Sequence, residues 1–144
     1  MLFQNILVPF DLSSPSNKAF KVALDLAQKY EGKITLLTCV EGDAWHHKFY
    51  DARADSQLLK TQTKVAKKYM EKLEETANKV GVKINLQILK SSSVAKDITT
   101  FAKSRKMDII VMSSHGRTGI DKLILGSVAN GVIQRTSVPV LLIK

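Results

Sequence analysis

Gly116, Gly119 and the pair Gly126-Ser127 fall within one stretch, Ser113 to Ser127 (SSHGRTGIDKLILGS), between an apolar run and a segment with helical periodicity. Glycine permits backbone angles and close approaches that a side chain would obstruct. A serine where a helix begins adds a hydroxyl to the uncovered amides of the first turn. Free N–H groups, the positive end of a helix dipole and a hydroxyl are together suited to phosphate oxygens, so the stretch reads as an anion cradle. A plain strand-to-helix connection that uses glycine for tight turns fits the same residues. No Gly-Lys-Ser/Thr closes the loop and no Gly-x-Gly-x-x-Gly is present, which excludes the two familiar nucleotide fingerprints.

Other chemistry-bearing residues give weaker signals. Asp11 follows a short apolar run and either meets a ligand or orders its own turn through nearby amides. His115 and Asp11 could orient a water, but neither belongs to a recognisable catalytic set, and His115 alternatively orders the loop. No catalytic residue is assigned. His46 and His47, near Asp43 and Asp51, lack the spacing of metal ligands and read as solvated loop residues, so no protein metal site is expected. The single cysteine, Cys39, lies in the apolar run Ile34–Val40 and reads as a small buried side chain, not a catalytic thiol.

These residues need a scaffold, and 144 residues with 44% hydrophobic and 24% charged content suit one globular domain spanning 1–144. No apolar run approaches the roughly 20 residues that cross a bilayer. The start, Met1 to Asn5, lacks the pattern of an export signal, so a cytoplasmic location is expected. The charge of +9, from 22 Lys plus Arg against 13 Asp plus Glu, favours anionic partners in general. The lysines between Lys60 and Lys79 are interleaved with Glu71, Glu74 and Glu75 and read as a solvated helix face. No nucleic-acid motif is present, and specific nucleic-acid recognition is not expected.

Ile6-Leu7-Val8, Ile34–Val40 and Asp108–Met112 are continuous apolar runs of the kind buried on both faces of a parallel sheet. Val82–Leu89 alternates apolar with polar residues, as a strand near an edge does, and Pro139–Ile143 supplies a final apolar strand with its proline at the start. Helices are predicted from Ser14, as cap, with Pro15 at the first position; along a stripe of Leu58, Val65, Tyr69, Met70, Leu73, Ala77 and Val80; after Ser93; and over Val128–Arg135. Gly32 is expected to end the first helix, and Ala44–Ser56 reads as a connection without a clear period. Alternating strands and helices with right-handed crossovers give an α/β fold, a doubly wound five-stranded parallel sheet with helices on both faces. In the order 3-2-1-4-5, Pro9-Phe10-Asp11 faces the glycine loop across the switch point, where such sheets bind ligands.

The chain resembles the universal stress protein family over essentially its whole length. Members of its nucleotide-binding branch carry Gly, two residues, Gly, nine residues, then Gly-Ser or Gly-Thr. Gly116, Arg117 to Leu125, and Gly126-Ser127 fit that pattern, with Ser113 at the first position. The resemblance implies that Pro9, Phe10 and Asp11 line the adenine and ribose region, with Cys39 and Val40 beside the base. It places Ser113 near the ribose and α-phosphate, and Gly116, Arg117, Gly126, Ser127 and Val128 around the phosphates, with His115 in the same loop. The ligand implied is ATP, ADP or AMP, any Mg2+ being carried on the phosphates. A homodimer through the last strand is implied too, in keeping with an apolar terminal edge at Val140–Ile143. The expected function is a stress-response sensor or regulator whose nucleotide state alters binding to a protein partner. Slow ATP hydrolysis, and a dimeric interaction module that has lost nucleotide binding, are the alternatives.

Overall fold

A computed structural model describes residues 3–41, 52–116 and 124–144, with side chains of the second stretch described from residue 56 onward. The segment holding Asp43, His46, His47 and Asp51 lies outside the described residues. Five strands, β1 (Asn5–Pro9), β2 (Lys33–Glu41), β3 (Lys83–Ser91), β4 (Ile109–Ser113) and β5 (Val140–Ile143), form one sheet in the order β3-β2-β1-β4-β5. Every pairing is parallel. Among the described residues four helices make the crossovers: α1 (Ser14–Tyr30), α2 (Ala52–Lys79), α3 (Val94–Ser104) and α4 (Ser127–Arg135). No described helix is long and apolar enough to cross a membrane.

The continuous apolar runs are explained by cover on both faces. Ile6, Val8, Ile34, Leu36, Ile109 and Val111 pack under α1 and α2, whereas Leu7, Leu37, Ile110 and Met112 pack under α3 and α4. Each such side chain contributes about 1.5–3 kcal/mol when fully withdrawn from water. β3 takes the edge that its alternation predicts. The start of the central strand is clamped from far along the chain: the Asp108 carboxylate accepts the Asn5 amide at 2.7 Å, and the Asp108 amide donates to the Asn5 carbonyl at 2.8 Å.

Local chemistry differs from the sequence reading at several points. The cap of α1 is Ser13, whose hydroxyl accepts the Ser16 amide at 3.2 Å; Ser14 is already helical and Pro15 sits in the first turn. The left-handed residue that ends α1 is Glu31 (φ 54°), not Gly32. Gly32 is instead required by crowding, since a Cβ there would lie 2.7 Å from the Phe3 carbonyl oxygen. α2 begins at Ala52, inside the stretch expected to be a connection. Its predicted core stripe is only partly buried: Met70 and Ala77 are fully enclosed, but Leu58, Val65, Tyr69 and Val80 are 51%, 45%, 49% and 42% exposed. Ala66, Met70 and Ala77 share one inward line, and Ala66, one position and about 100° past Val65, takes the inward place. On α4, Ala129 and Val132 are buried and Ile133 is 41% exposed. Gly131 lets α4 approach α3, since a Cβ there would sit 2.7 Å from the Ala95 Cβ.

Candidate functional site

The site is built where β1 and β4, neighbours in the sheet, send their following segments apart. After β1 the chain leaves the sheet with Phe10 buried and its amide bonded to the Leu37 carbonyl at 2.8 Å. Asp11 follows. Its Oδ1 accepts from the Ser13 amide at 3.0 Å and from the Ser13 hydroxyl, which ties the carboxylate to the residue that caps α1. Its Oδ2 lies 2.7 Å from where a Cβ on Gly116 would be. Asp11 therefore orders its own turn through Oδ1, while Oδ2 lies against the glycine loop. Leu12 completes the turn with a left-handed φ of 70°, an uncommon conformation for a bulky residue.

On the opposite side, Ser113 ends β4 and the Ser114 amide bonds to the Ile143 carbonyl at 3.0 Å. The His115 ring joins the two ends of the loop. Its Nε2 bonds the Ile124 carbonyl and its Nδ1 lies 2.9 Å from the Ser114 hydroxyl. A carbonyl only accepts, so Nε2 carries the proton, and in the neutral ring the Ser114 hydroxyl donates to Nδ1. The Gly126 amide closes the neck on the Ser114 carbonyl at 2.8 Å. A Cβ on Gly126 would meet that same carbonyl oxygen at 2.8 Å, so this glycine is fixed by backbone crossing backbone. Gly126 is also the N-cap of α4 and offers no capping side chain. The first intrahelical bond, Asn130 amide to Gly126 carbonyl at 2.9 Å, leaves the amides of Ser127, Val128 and Ala129 ahead of it at the positive end of the helix dipole.

A cavity of about 650 Å³ opens between these segments. That volume is within the roughly 300–1,000 Å³ of small-molecule sites. Eleven of the twelve residues singled out in the sequence line it: Pro9, Phe10, Asp11, Cys39, Val40, Ser113, His115, Gly116, Gly126, Ser127 and Val128. The twelfth, Arg117, lies outside the described residues. Cys39 is partly buried, and desolvation, reinforced by the negative charges of Asp97 and Glu41, pushes its thiol up from 9.0 to about 11. It is a neutral wall near neutral pH. Sequence reasoning missed Thr61, Gln62, Val65 and Ala66, which α2 contributes to the rim, and Thr38, Val94, Ile98 and Met112. Nothing local marks the α2 residues, because the return of that helix over the sheet brings them there. Thr38 was within reach, being one position before Cys39 in the same strand. It is buried, and among the described residues its hydroxyl has no hydrogen-bond partner.

A doubly wound α/β protein with a ligand-sized crevice at its switch point is the class that this fold and site define. The model of the universal stress protein family matches residues 2–144, and the chain belongs to that family. It is 32% identical to universal stress protein MJ0531 of Methanocaldococcus jannaschii over 149 aligned positions, covering 99% of this chain and 83% of that protein. The structure of universal stress protein UspA from Lactobacillus plantarum superposes with a TM-score of 0.85 at 25% identity, over 100% of this chain and 99% of that one. The same fold occurs in the universal stress protein from Archaeoglobus fulgidus solved in complex with dAMP, with a TM-score of 0.70 at 20% identity and complete coverage of both chains (100% each).

Proposed function

We propose that this protein binds an adenine nucleotide, ATP or its products ADP and AMP, in the switch-point crevice and acts in the cytoplasm as a stress-response regulator. Nucleotide occupancy would alter its binding to a protein partner. The observation that carries the proposal is the meeting of the Asp11 turn, the Gly116 loop and the uncapped start of α4 around one open cavity. The dAMP complex of the Archaeoglobus fulgidus protein shows that this fold can house an adenine nucleotide in that relative.

In this reading Pro9, Phe10, Cys39 and Val40 present apolar surface to the base, and the neutral Cys39 thiol adds no charge there. The Asp11 carboxylate accepts from ribose hydroxyls. The amides of Ser127 and Val128, the Ser127 hydroxyl and the Gly116 backbone face the phosphates, with Ser113 beside the ribose and α-phosphate and Arg117 adding positive charge. No three His, Cys, Asp or Glu side chains gather among the described residues, so Mg2+ would arrive on the phosphates. His115 organises the loop through both ring nitrogens, and no catalytic role is assigned to it. The exposed edge of β5 is the proposed homodimer contact, with Leu141 36% exposed on it.

Titration calorimetry with ATP, ADP and AMP, joined to mass analysis of what copurifies, tests the nucleotide reading. Gly116→Val is expected to weaken binding at least tenfold while the chain stays folded, because its Cβ would displace the Asp11 carboxylate from 2.7 Å. Absence of heat and of retained nucleotide in the unaltered protein would leave a dimeric interaction module instead.

A further inference from the structure

Three of the exposed large apolar side chains lie on one line of α2: Leu58, Val65 and Tyr69, at 51%, 45% and 49% exposure. At 100° per residue they fall within roughly 40° of one another around the helix. Gln62 and Thr76 share that line. Lys72, Lys79 and Lys68 project roughly 40–80° to its solvent side, while Glu71, Glu74 and Glu75 lie about 100° or more away. The Lys72 ammonium stands 5.5 Å from the centroid of the Tyr69 ring, arching over an aromatic face that remains half open. Near its amino end the stripe adjoins the crevice, where Thr61, Gln62 and Val65 form part of the wall.

From this we infer that the Leu58–Val65–Tyr69 face of α2 is a docking surface for an acidic amphipathic helix of a partner protein. Spacings of seven and four residues suit the apolar side chains of a helix laid alongside. The lysine row on the solvent side selects for carboxylates on that partner and would steer its approach. A second copy of this chain would bring the same lysines against themselves. An anionic membrane fits less well, because the apolar line is a single row interrupted by Gln62 and Thr76, whereas interfacial helices bury a broad apolar face. The surface deepens the partner-binding part of the function proposed above, but its existence does not require a nucleotide.

The probe is a fluorescein-labelled peptide helix with leucine on one face and glutamate elsewhere, compared with the same peptide carrying lysine for glutamate. Fluorescence anisotropy with the intact protein is expected to show the glutamate peptide binding at least tenfold tighter than the lysine peptide, and weakening as salt is raised. The Leu58→Ser/Tyr69→Ser variant and the Lys68→Glu/Lys72→Glu variant are each expected to lose at least tenfold, with urea midpoints confirming that both remain folded. Affinity unchanged in both folded variants overturns the assignment. It is also overturned if anionic vesicles, and not the peptide, show the variant-sensitive binding, or if sedimentation shows the serine variant abolishing self-association. Repeating the titration with saturating ATP separates the two proposals: peptide binding indifferent to ATP keeps the docking surface and removes the coupling.

Discussion

Residues in this crevice carry more than one physical demand, and the demands can be separated by substitution. Asp11 holds the start of α1 through one oxygen and reaches Gly116 with the other, so a change at either residue is felt across the gap between the β1 and β4 segments. Cys39 gives a clean readout of the wall it belongs to. Its thiol is held neutral to about 11 by desolvation first and by Asp97 and Glu41 second. Reaction with iodoacetamide near pH 8 is therefore expected to be roughly ten- to a hundredfold slower in the folded protein than in urea, since the thiolate is the reacting species. A rate equal to that of the unfolded chain would mean an open, solvated thiol. The same shift has a sign in stability: between pH 9.0 and about 11 the unfolded chain has released a proton that the folded one keeps. This group's contribution is thus intact below 9.0 and falls as pH rises through that window. Glycines were informative for a similar reason. Their positions were visible in the sequence, but what each one avoids, a carboxylate at Gly116 and a carbonyl at Gly126, depends on residues distant in the chain.

Elements of secondary structure show where local sequence suffices and where it does not. β1, β2 and β4 were legible because burial on both faces leaves no charged residue inside the run, and β3 because an edge strand tolerates alternation. The cap of α1 was misplaced by one residue among three adjacent serine or proline candidates, a distinction that rests on which hydroxyl turns toward the Ser16 amide. Ser13→Ala is expected to cost about 1 kcal/mol by urea denaturation, the usual worth of a serine cap. It should also weaken nucleotide binding, because Asp11 Oδ1 keeps the residue 13 amide but loses the hydroxyl that fixes it. Ser14→Ala should change stability by less than about 0.5 kcal/mol, as surface substitutions commonly do. The reverse order of costs would restore Ser14 as the cap. α2 was recognised as a helix, yet its assigned stripe mixed two faces. The inward line runs through Ala66, Met70 and Ala77, and the apolar side chains of the other face are those now assigned to partner docking.

The whole molecule adds constraints that no single element contains. Its parallel sheet was deducible from the alternation of elements and the handedness of crossovers, whereas the order 3-2-1-4-5, and with it the facing of the β1 and β4 segments, was one of the doubly wound orders those rules allow and is the one the structure shows. The α2 wall of the cavity was not deducible, because nothing in Thr61 or Gln62 records which strand ends they overhang. Oligomeric state belongs to this scale as well. Leu141→Lys places a charge on the outer strand, where its neighbours in the chain remain paired to β4, and should leave the unfolding free energy within about 0.5 kcal/mol of the parent. Sedimentation velocity is expected to show the proposed dimer for the unaltered chain and a monomer for this variant, and a dimer that survives the substitution would move the contact elsewhere. The clamp between Asn5 and Asp108 joins positions 103 apart, at the start of the Ile6–Ile109 and Leu7–Ile110 pairing that gives the central strand its second neighbour. Loop closure of this length is paid in chain entropy before pairing returns anything, and parallel topologies fold slowly for that reason. During synthesis β1 emerges first and waits with one side bare until β4 leaves the ribosome, so the crevice is among the last features to be completed. A nascent chain halted before Ile109 would offer that bare side to any other strand within reach.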